Sequence, residues 1–269
     1  MIALSFVETH RYAYPVTTTG TGTALTVAKK SGDPYLVFLT QESFDDQVVY
    51  LGLGCDVEID RHATPPGRQT TTGLGYDLIG RRIFGAQTTS NANIVYAFDP
   101  TTEAEVLALD LSASTDPGFQ PTGLATNGLF LLRTDGQEIE LRTMGGFKLA
   151  QKSFPGRSIK GITSSPWSWT FVDGATDEIV VINPLGTEIA SAPAPGSAGG
   201  CGAVAYNHFH AGENEPQQWI CPLGTVDTIP GSIHNPDTPW DPEPWSGRHR
   251  LFVANDIDQI IYAGYLSVN

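Results

Sequence analysis

One short β pattern recurs along the chain and constrains its fold more than any other feature. A polar residue followed by β-branched or aromatic residues occurs at Gln47-Val48-Val49-Tyr50, Asn93-Ile94-Val95-Tyr96, Glu138-Ile139-Glu140-Leu141, Glu178-Ile179-Val180-Val181, Gln218-Trp219-Ile220-Cys221 and Gln259-Ile260-Ile261-Tyr262. Successive starts lie 46, 45, 40, 40 and 41 residues apart. Such runs suit strands packed on both faces. Self-similarity at this period marks a repeat architecture.

Each copy follows another strand-like run, such as Tyr35-Leu36-Val37-Phe38-Leu39, Leu129-Phe130-Leu131-Leu132 or Leu251-Phe252-Val253-Ala254. Short turns such as Thr134-Asp135-Gly136 link the two, with Gly and Asp supplying hairpin geometry. Upstream stands a small, glycine-led strand, for example Gly73-Leu74-Gly75-Tyr76, Gly123-Leu124-Ala125-Thr126 or Gly161-Ile162-Thr163-Ser164. Downstream comes a fourth strand, as at Glu105-Val106-Leu107-Ala108-Leu109. Gly (29) and Pro (19) are plentiful among the 269 residues and charged residues make up only 16%, which excludes coiled coils and helical bundles. Four strands per unit in six units predict an all-β chain folded as a six-bladed β-propeller. The glycine-led strands would be innermost, where backbones crowd. The expected blades are 23–63, 72–112, 121–154, 158–194, 200–230 and 231–269, the last with an insertion at 235–248. Residues 1–15 would supply the outer strand of the sixth blade, so that the N-terminal strand closes the ring on the C-terminal blade. A five-bladed ring with one degenerate unit is the alternative.

The order of Gly123-Leu124-Ala125-Thr126-Asn127-Gly128-Leu129-Phe130-Leu131, Gln137-Glu138-Ile139-Glu140-Leu141 and Gly145-Gly146-Phe147-Lys148-Leu149 resembles an NHL repeat. The whole is similar to six-bladed propellers of the NHL and SMP-30/lactonase type. The resemblance is architectural and spans residues 23–269. A lactonase-type resemblance implies a Ca²⁺ ion on the axis held by Glu, Asn and Asp side chains. Asn255, Asp256 and Glu42 are the candidates here, with Glu8 as an alternative to Glu42.

The formal net charge of −14 disfavours nucleic acid and anionic membrane surfaces as partners. No apolar run approaches the roughly 18 residues that a membrane span needs. The N-terminus lacks a basic region before its apolar residues, so no signal peptide is expected. The expectation is a soluble protein, cytoplasmic or assembled into a virion. Three cysteines (Cys55, Cys201, Cys221) are too few for a disulfide framework, although Cys201 and Cys221 could pair.

No nucleophile elbow, P-loop, dinucleotide-binding glycine motif or C-x-x-C pair occurs. Turns between second and third strands would share one face of the ring, and Asp135, Asp173 and Asn255 fall on them as binding candidates. Their polarity is equally explained by exposure to water. His208 and His210 alternate as two metal ligands on one strand face would, though burial of one and exposure of the other is the simpler expectation. The most individual segment is His234 to Gly247, with four prolines and the pair Trp240 and Trp245. It is stiff, and it suits either a protein hot spot or sugar stacking, or else a plug for the channel. Thr is abundant (28) and Lys scarce (5), a balance found in virion parts. The expectation is therefore a non-catalytic binding or structural propeller without an obligatory cofactor. It would contact a protein or glycan, with oligomeric assembly open, as in a surface component of a phage virion or tail. The alternative is a divalent-metal-dependent lactonase or lyase.

Overall fold

A computed structural model describes residues 2–14, 22–42, 45–53, 57–68, 70–89, 92–114, 116, 118–164, 168–206, 217–220, 226–229 and 251–268. Among the described residues the strands form five four-stranded antiparallel blades and one separate hairpin. The first blade is β2 (Gly22–Lys30), β3 (Asp33–Glu42), β4 (Asp45–Gly52) and β5 (Glu58–Ala63). The second is β6 (Thr71–Asp77), β7 (Arg82–Thr89), β8 (Ala92–Phe98) and β9 (Glu105–Asp110). The third is β10 (Gly123–Thr126), β11 (Phe130–Thr134), β12 (Glu138–Thr143) and β13 (Lys148–Ser153). The fourth is β14 (Ile159–Ser164), β15 (Trp169–Asp173), β16 (Glu178–Ile182) and β17 (Glu188–Pro193). The fifth is assembled from distant pieces: β18 (Cys201–Tyr206), β21 (Leu251–Asn255), β22 (Ile260–Val268) and, outermost, β1 (Ile2–Ala13). The N-terminal strand thus closes the C-terminal blade, pairing antiparallel with β22 from Leu4↔Val268 to Ala13↔Ile260. A two-residue parallel contact, Ile2↔Ala190 and Ala3↔Ser191, joins it to the fourth blade as well.

Among the described residues five blades are seen, where six were expected. The pattern at Gln218-Trp219-Ile220 does form a strand, β19 (Gln217–Ile220), but its partner is β20 (Val226–Ile229), and the pair joins no blade. The small strand β18 takes β21 as its hairpin partner instead, in the register Ala203↔Ala254 to Tyr206↔Leu251. Two expected units therefore contribute one blade. Residues 207–216 and 230–250, which hold most of the remainder of the expected fifth and sixth units, lie outside the described residues, as do Cys55 and Cys221. Cys201 is a buried free thiol, pushed up to about 12 by burial and then by Asp177, Asp256 and Asp258.

The inner strands β2, β6, β10, β14 and β18 contact one another in cyclic order, so the ring is closed. Small residues make that closure possible. A Cβ added to Gly73 would sit 2.4 Å from the Leu124 nitrogen, one on Gly123 3.0 Å from the Gly161 Cα, and one on Gly161 2.9 Å from the Ala203 Cα. Equivalent residues thus meet around the axis, and the five inner strands run in the same direction. The register slips just ahead of these positions, at Gly22/Ala24, Thr71/Gly73, Ile159/Gly161 and Cys201/Ala203. A bulge there adds the twist that turns each blade from axial to tangential.

Apolar clusters fill every interface between neighbouring blades, two of them between the fourth and fifth. The one between fifth and first blades includes Tyr12 and Tyr14 of the N-terminal segment beside Phe38 and Phe252. Alternate residues of the middle strands face opposite neighbours, so both faces are apolar, as the near-continuous hydrophobic runs require.

Backbone contact at the axis predicts an asymmetry between glycines. Gly73→Ala should destabilise the fold by about 3 kcal/mol in urea unfolding, because the clash is with main chain. Gly32→Ala, with φ +102° but open space around it, should cost only about 1 kcal/mol of backbone strain.

Candidate functional site

The ring has two ends. At the linker end, blades are joined to one another and second strands turn into third strands. At the opposite end, first strands turn into second strands.

The expected binding residues Asp135, Asp173 and Asn255 do share the linker end, and each works inside its own chain. Asp135 Oδ1 accepts hydrogen bonds from the Gln137 and Glu138 amides at 3.2 and 2.9 Å. Asp173, fully buried, accepts from the Ser158 and Ala175 amides at 2.8 and 2.9 Å through Oδ1. Its Oδ2 accepts from Arg157 Nη1 at 3.0 Å and Thr176 Oγ1 at 2.9 Å. Burial alone would raise its pKa, but the two amides, Arg157 and Thr176 together hold it below the usual carboxylate range. Asn255 Oδ1 accepts from the Ile257 and Asp258 amides, both at 3.1 Å. Its Nδ2 donates to the Pro195 and Ser197 carbonyls at 3.3 and 3.0 Å. All four hydrogen-bonding positions of that amide are taken. These side chains lock the second-to-third turns, and Asp173 and Asn255 also hold the linkers between blades.

Asp256 Oδ1 accepts from the Tyr14 hydroxyl at 2.8 Å, tying the N-terminal segment to the fifth blade. Burial, then the Asp256 carboxylate, raises that phenol's pKa far above its ordinary value. The side chain of Glu42, and Trp240, Trp245, His208 and His210, lie outside the described residues. The sequence reading missed Arg157. Its guanidinium reaches Asp173, Glu178 at 2.6 Å and Glu188 at 2.8 Å, so three carboxylates converge on one cation where the third and fourth blades join.

The axial space is bounded by backbone and by small or aliphatic residues, among them Gly73, Gly123, Gly161 and Ala203. Its hydroxyls serve as ties between blades. Thr72 Oγ1 donates to the Pro121 carbonyl at 2.5 Å, and Thr122 Oγ1 to the Ile159 carbonyl at 2.8 Å. At the equivalent place in the fourth blade stands Lys160, whose exposed stem lies over Gly174. No carboxylate lines this space among the described residues.

The opposite end offers a different chemistry. Asp77 Oδ1 accepts from the Ile79 and Gly80 amides, both at 2.9 Å, and its Oδ2 meets Arg82 Nε at 3.2 Å. Asn127 Oδ1 accepts from the Leu129 and Phe130 amides, both at 3.0 Å. These Asx turns hold apolar side chains outward: Ile79 is 69% and Leu129 60% exposed, with Leu78 and Phe130 each 37% exposed. The two turns touch, because a Cβ on Gly128 (φ +84°) would lie 3.0 Å from Ile79 Cγ1. The chain also leaves the ring at this end after Tyr206 and returns at Leu251, which pair with each other. The segment carrying Trp240 and Trp245 is therefore inserted between the first and second strands of the fifth blade. The patch was readable in Asp77-Leu78-Ile79-Gly80 and Asn127-Gly128-Leu129-Phe130, where an Asx residue precedes an apolar pair.

No family model and no curated protein sequence matches the chain. Among solved structures, the glutaminyl cyclase of Myxococcus xanthus is similar at TM-score 0.65 and 14% identity, over 100% of this chain and 99% of that one. The chain is a β-propeller. The Pan2 WD40 domain of Neurospora crassa (TM-score 0.49, 13% identity, 96% and 94% coverage) and the virginiamycin B lyase of Staphylococcus aureus (0.48, 12%, 97% and 99%) are more distant. At these identities the likeness concerns the fold alone. No helix is long and apolar enough to cross a membrane among the described residues.

The Asp173 contacts set a pH dependence. A carboxylate with a depressed folded pKa stabilises the fold above its unfolded pKa of about 3.9, and that stability is lost as pH falls through the folded value. Asp173→Asn should therefore be less stable than the parent by about 1–3 kcal/mol at neutral pH. The gap should narrow below about pH 4, as read from denaturant melts across pH.

Proposed function

We propose that this propeller is a non-catalytic binding module that holds a protein partner against the end where first strands turn into second strands. The observation that carries this reading is the exposed apolar pair Ile79 and Leu129, on two turns that touch at Gly128. It is displayed on two hydrogen-bonded turns, at the end of the ring where the Trp-containing insertion leaves the fifth blade. Large apolar side chains held in fixed exposed turns favour association. A protein fits better than a glycan, because the described part of this patch is aliphatic and aromatic with few polar groups. A surface component of a phage virion or tail is one concrete form of the proposal. It rests on the threonine-rich, lysine-poor composition.

A catalytic reading has less support. The glutaminyl cyclase carries its activity in its name, but among the described residues the axial space here is lined by Thr72 and Thr122 and by no carboxylate for proton transfer. The lactonase-type reading, with Ca²⁺ on Asn255, Asp256 and Glu42, would ask for the Asn255 Oδ1 that already accepts the Ile257 and Asp258 amides.

The test is cross-linked affinity capture from cells of the source organism, with identification by mass spectrometry. The bait proteins are the parent chain, Ile79→Asp/Leu129→Asp and Trp240→Ala/Trp245→Ala. A protein partner should be held by the parent and lost from both variants. Its affinity for purified variants should fall by about 10- to 100-fold, since such anchors each contribute about 1–2 kcal/mol or more. Melting temperatures should stay close to the parent's for the exposed pair. Undiminished capture by both variants would overturn the reading.

A further inference from the structure

The chain is acidic overall, yet cations stand beside the exposed pair Ile79 and Leu129. The inner strands β2, β6 and β10 are neighbours, so the ends of their hairpins lie side by side. Lys29, near the β2–β3 turn, and Arg81, on the β6–β7 turn, are both exposed. Tyr76 joins them: burial raises the pKa of its phenol, and the Lys29 backbone and then the Arg81 charge oppose that rise. Arg81 is two residues from Ile79, and Ile79 touches the turn of Leu129 at Gly128. Cations and then aliphatic side chains thus follow one another across the first three blades. Against them stands one exposed carboxylate among the described residues of these turns, Asp33.

Arg81 differs from the other arginines. Seven of the eight described arginines form an ion pair with a carboxylate, from Arg11 beside Glu8 to the buried Arg133 and Arg142 that share Glu140. Arg81 forms no ion pair among the described residues. Its backbone amide donates to the Asp77 carbonyl at 2.8 Å, which fixes the turn and leaves the residue exposed.

Arg81 also sits at φ +53°, in the left-handed region that glycine or asparagine adopts more easily. Other side chains on such a backbone work within the chain. Glu103 (φ +63°) pairs with Lys30, Asp177 (φ +53°) accepts from the Gly199 amide at 2.6 Å, and Gln259 (φ +56°) donates to the Asp256 carbonyl at 3.0 Å. Strain that no internal contact of the side chain explains points to function.

Negative charge gathers at the other end of the ring. Asp110, Asp116, Asp177, Asp256 and Asp258 stand on linkers, at a linker's start or on second-to-third turns. A net charge of −14 repels nucleic acids and anionic bilayers, which extend well past the patch. A short acidic segment feels chiefly the cations it touches, because charges beyond about 10 Å are screened. A guanidinium fork binds a carboxylate through two parallel hydrogen bonds.

We propose that the partner held at this end presents an extended segment with carboxylates beside aliphatic residues. Arg81 and Lys29 receive the carboxylates, and Ile79 and Leu129 seat the aliphatic side chains. The inference rests on the binding-module reading and adds to it the chemistry of the partner.

The experiment measures binding of the full chain to labelled synthetic peptides that combine leucine and isoleucine with glutamate, glutamine or lysine. Fluorescence anisotropy at low and at physiological salt is the readout. The parent should bind glutamate peptides about tenfold more tightly than glutamine peptides, and salt should erode the difference. Arg81→Glu should lose that preference and gain affinity for lysine peptides, while Arg81→Lys keeps it. Ile79→Asp should bind glutamate peptides weakly at either salt. Melting temperatures of the Arg81 variants should match the parent's, since the guanidinium forms no ion pair. The inference is overturned if glutamate peptides bind no better than glutamine peptides, or if Arg81→Glu keeps the parent's preference. It is also overturned if the parent binds vesicles of phosphatidylserine and phosphatidylcholine and Arg81→Glu does not, because the patch would then serve a lipid surface. Peptide binding that Ile79→Asp abolishes but charge does not affect overturns the acidic partner alone and leaves the binding module standing. Undiminished partner capture by Ile79→Asp/Leu129→Asp overturns both.

Discussion

Everything in this molecule depends on main-chain contact around its axis. Five inner strands can form a closed ring only if their backbones approach to a distance that no side chain beyond alanine tolerates, and Gly73, Gly123, Gly161 and Ala203 meet that condition. In four of the five blades a bulge just ahead of this position then turns the blade outward, so that its middle strands can face two neighbours at once. The apolar clusters between blades are a consequence of that rotation. The hydroxyls of Thr72 and Thr122 then tie neighbouring blades together through the Pro121 and Ile159 carbonyls.

The acidic composition takes on a structural meaning within this frame. Much of the described carboxylate and amide chemistry is turned inward onto the chain's own turns and linkers. Asp77, Asn127, Asp135, Asp173 and Asn255 each accept neighbouring amides that a tight turn leaves unpaired. Polar residues on a propeller rim are commonly read as invitations to a ligand. Here they stiffen the rim, while the exposed Ile79 and Leu129 stand at the other end.

The sequence carried the architecture further than the site. Hairpins such as β11–β12 and β15–β16 are local, and their alternation and turn residues announce them. What locality cannot announce is the partner of a strand. Gln218-Trp219-Ile220 looks like every other third strand, and only the pairing of β18 with β21, across a long insertion, reveals that one blade was counted twice. The candidate residues Asp135, Asp173 and Asn255 were legible as positions on one rim. Their roles were not, because Asp173 meets Ser158 and Asn255 meets Pro195 and Ser197 only once the linkers have folded over them. Ile79 and Leu129 were overlooked because apolar residues beside a strand are read as part of it. Arg133 was overlooked for the same reason: in Leu131-Leu132-Arg133-Thr134 it reads as the polar, wet end of a strand, and its burial arises from the neighbouring blade and from Phe119.

The fifth blade has a consequence in time as well as in space. Leu4 pairs with Val268, so β1 finds its neighbour only after the more than 250 residues between them have been made. At about 5–20 residues per second, that interval is on the order of ten seconds to nearly a minute. Four blades can form as they are synthesised, each from adjacent strands, while β18 and the buried Leu4 and Tyr12 wait with their apolar surfaces uncovered. Joining the two ends is then a single late event. It completes two interfaces of the ring at once, much as the last stave tightens a barrel.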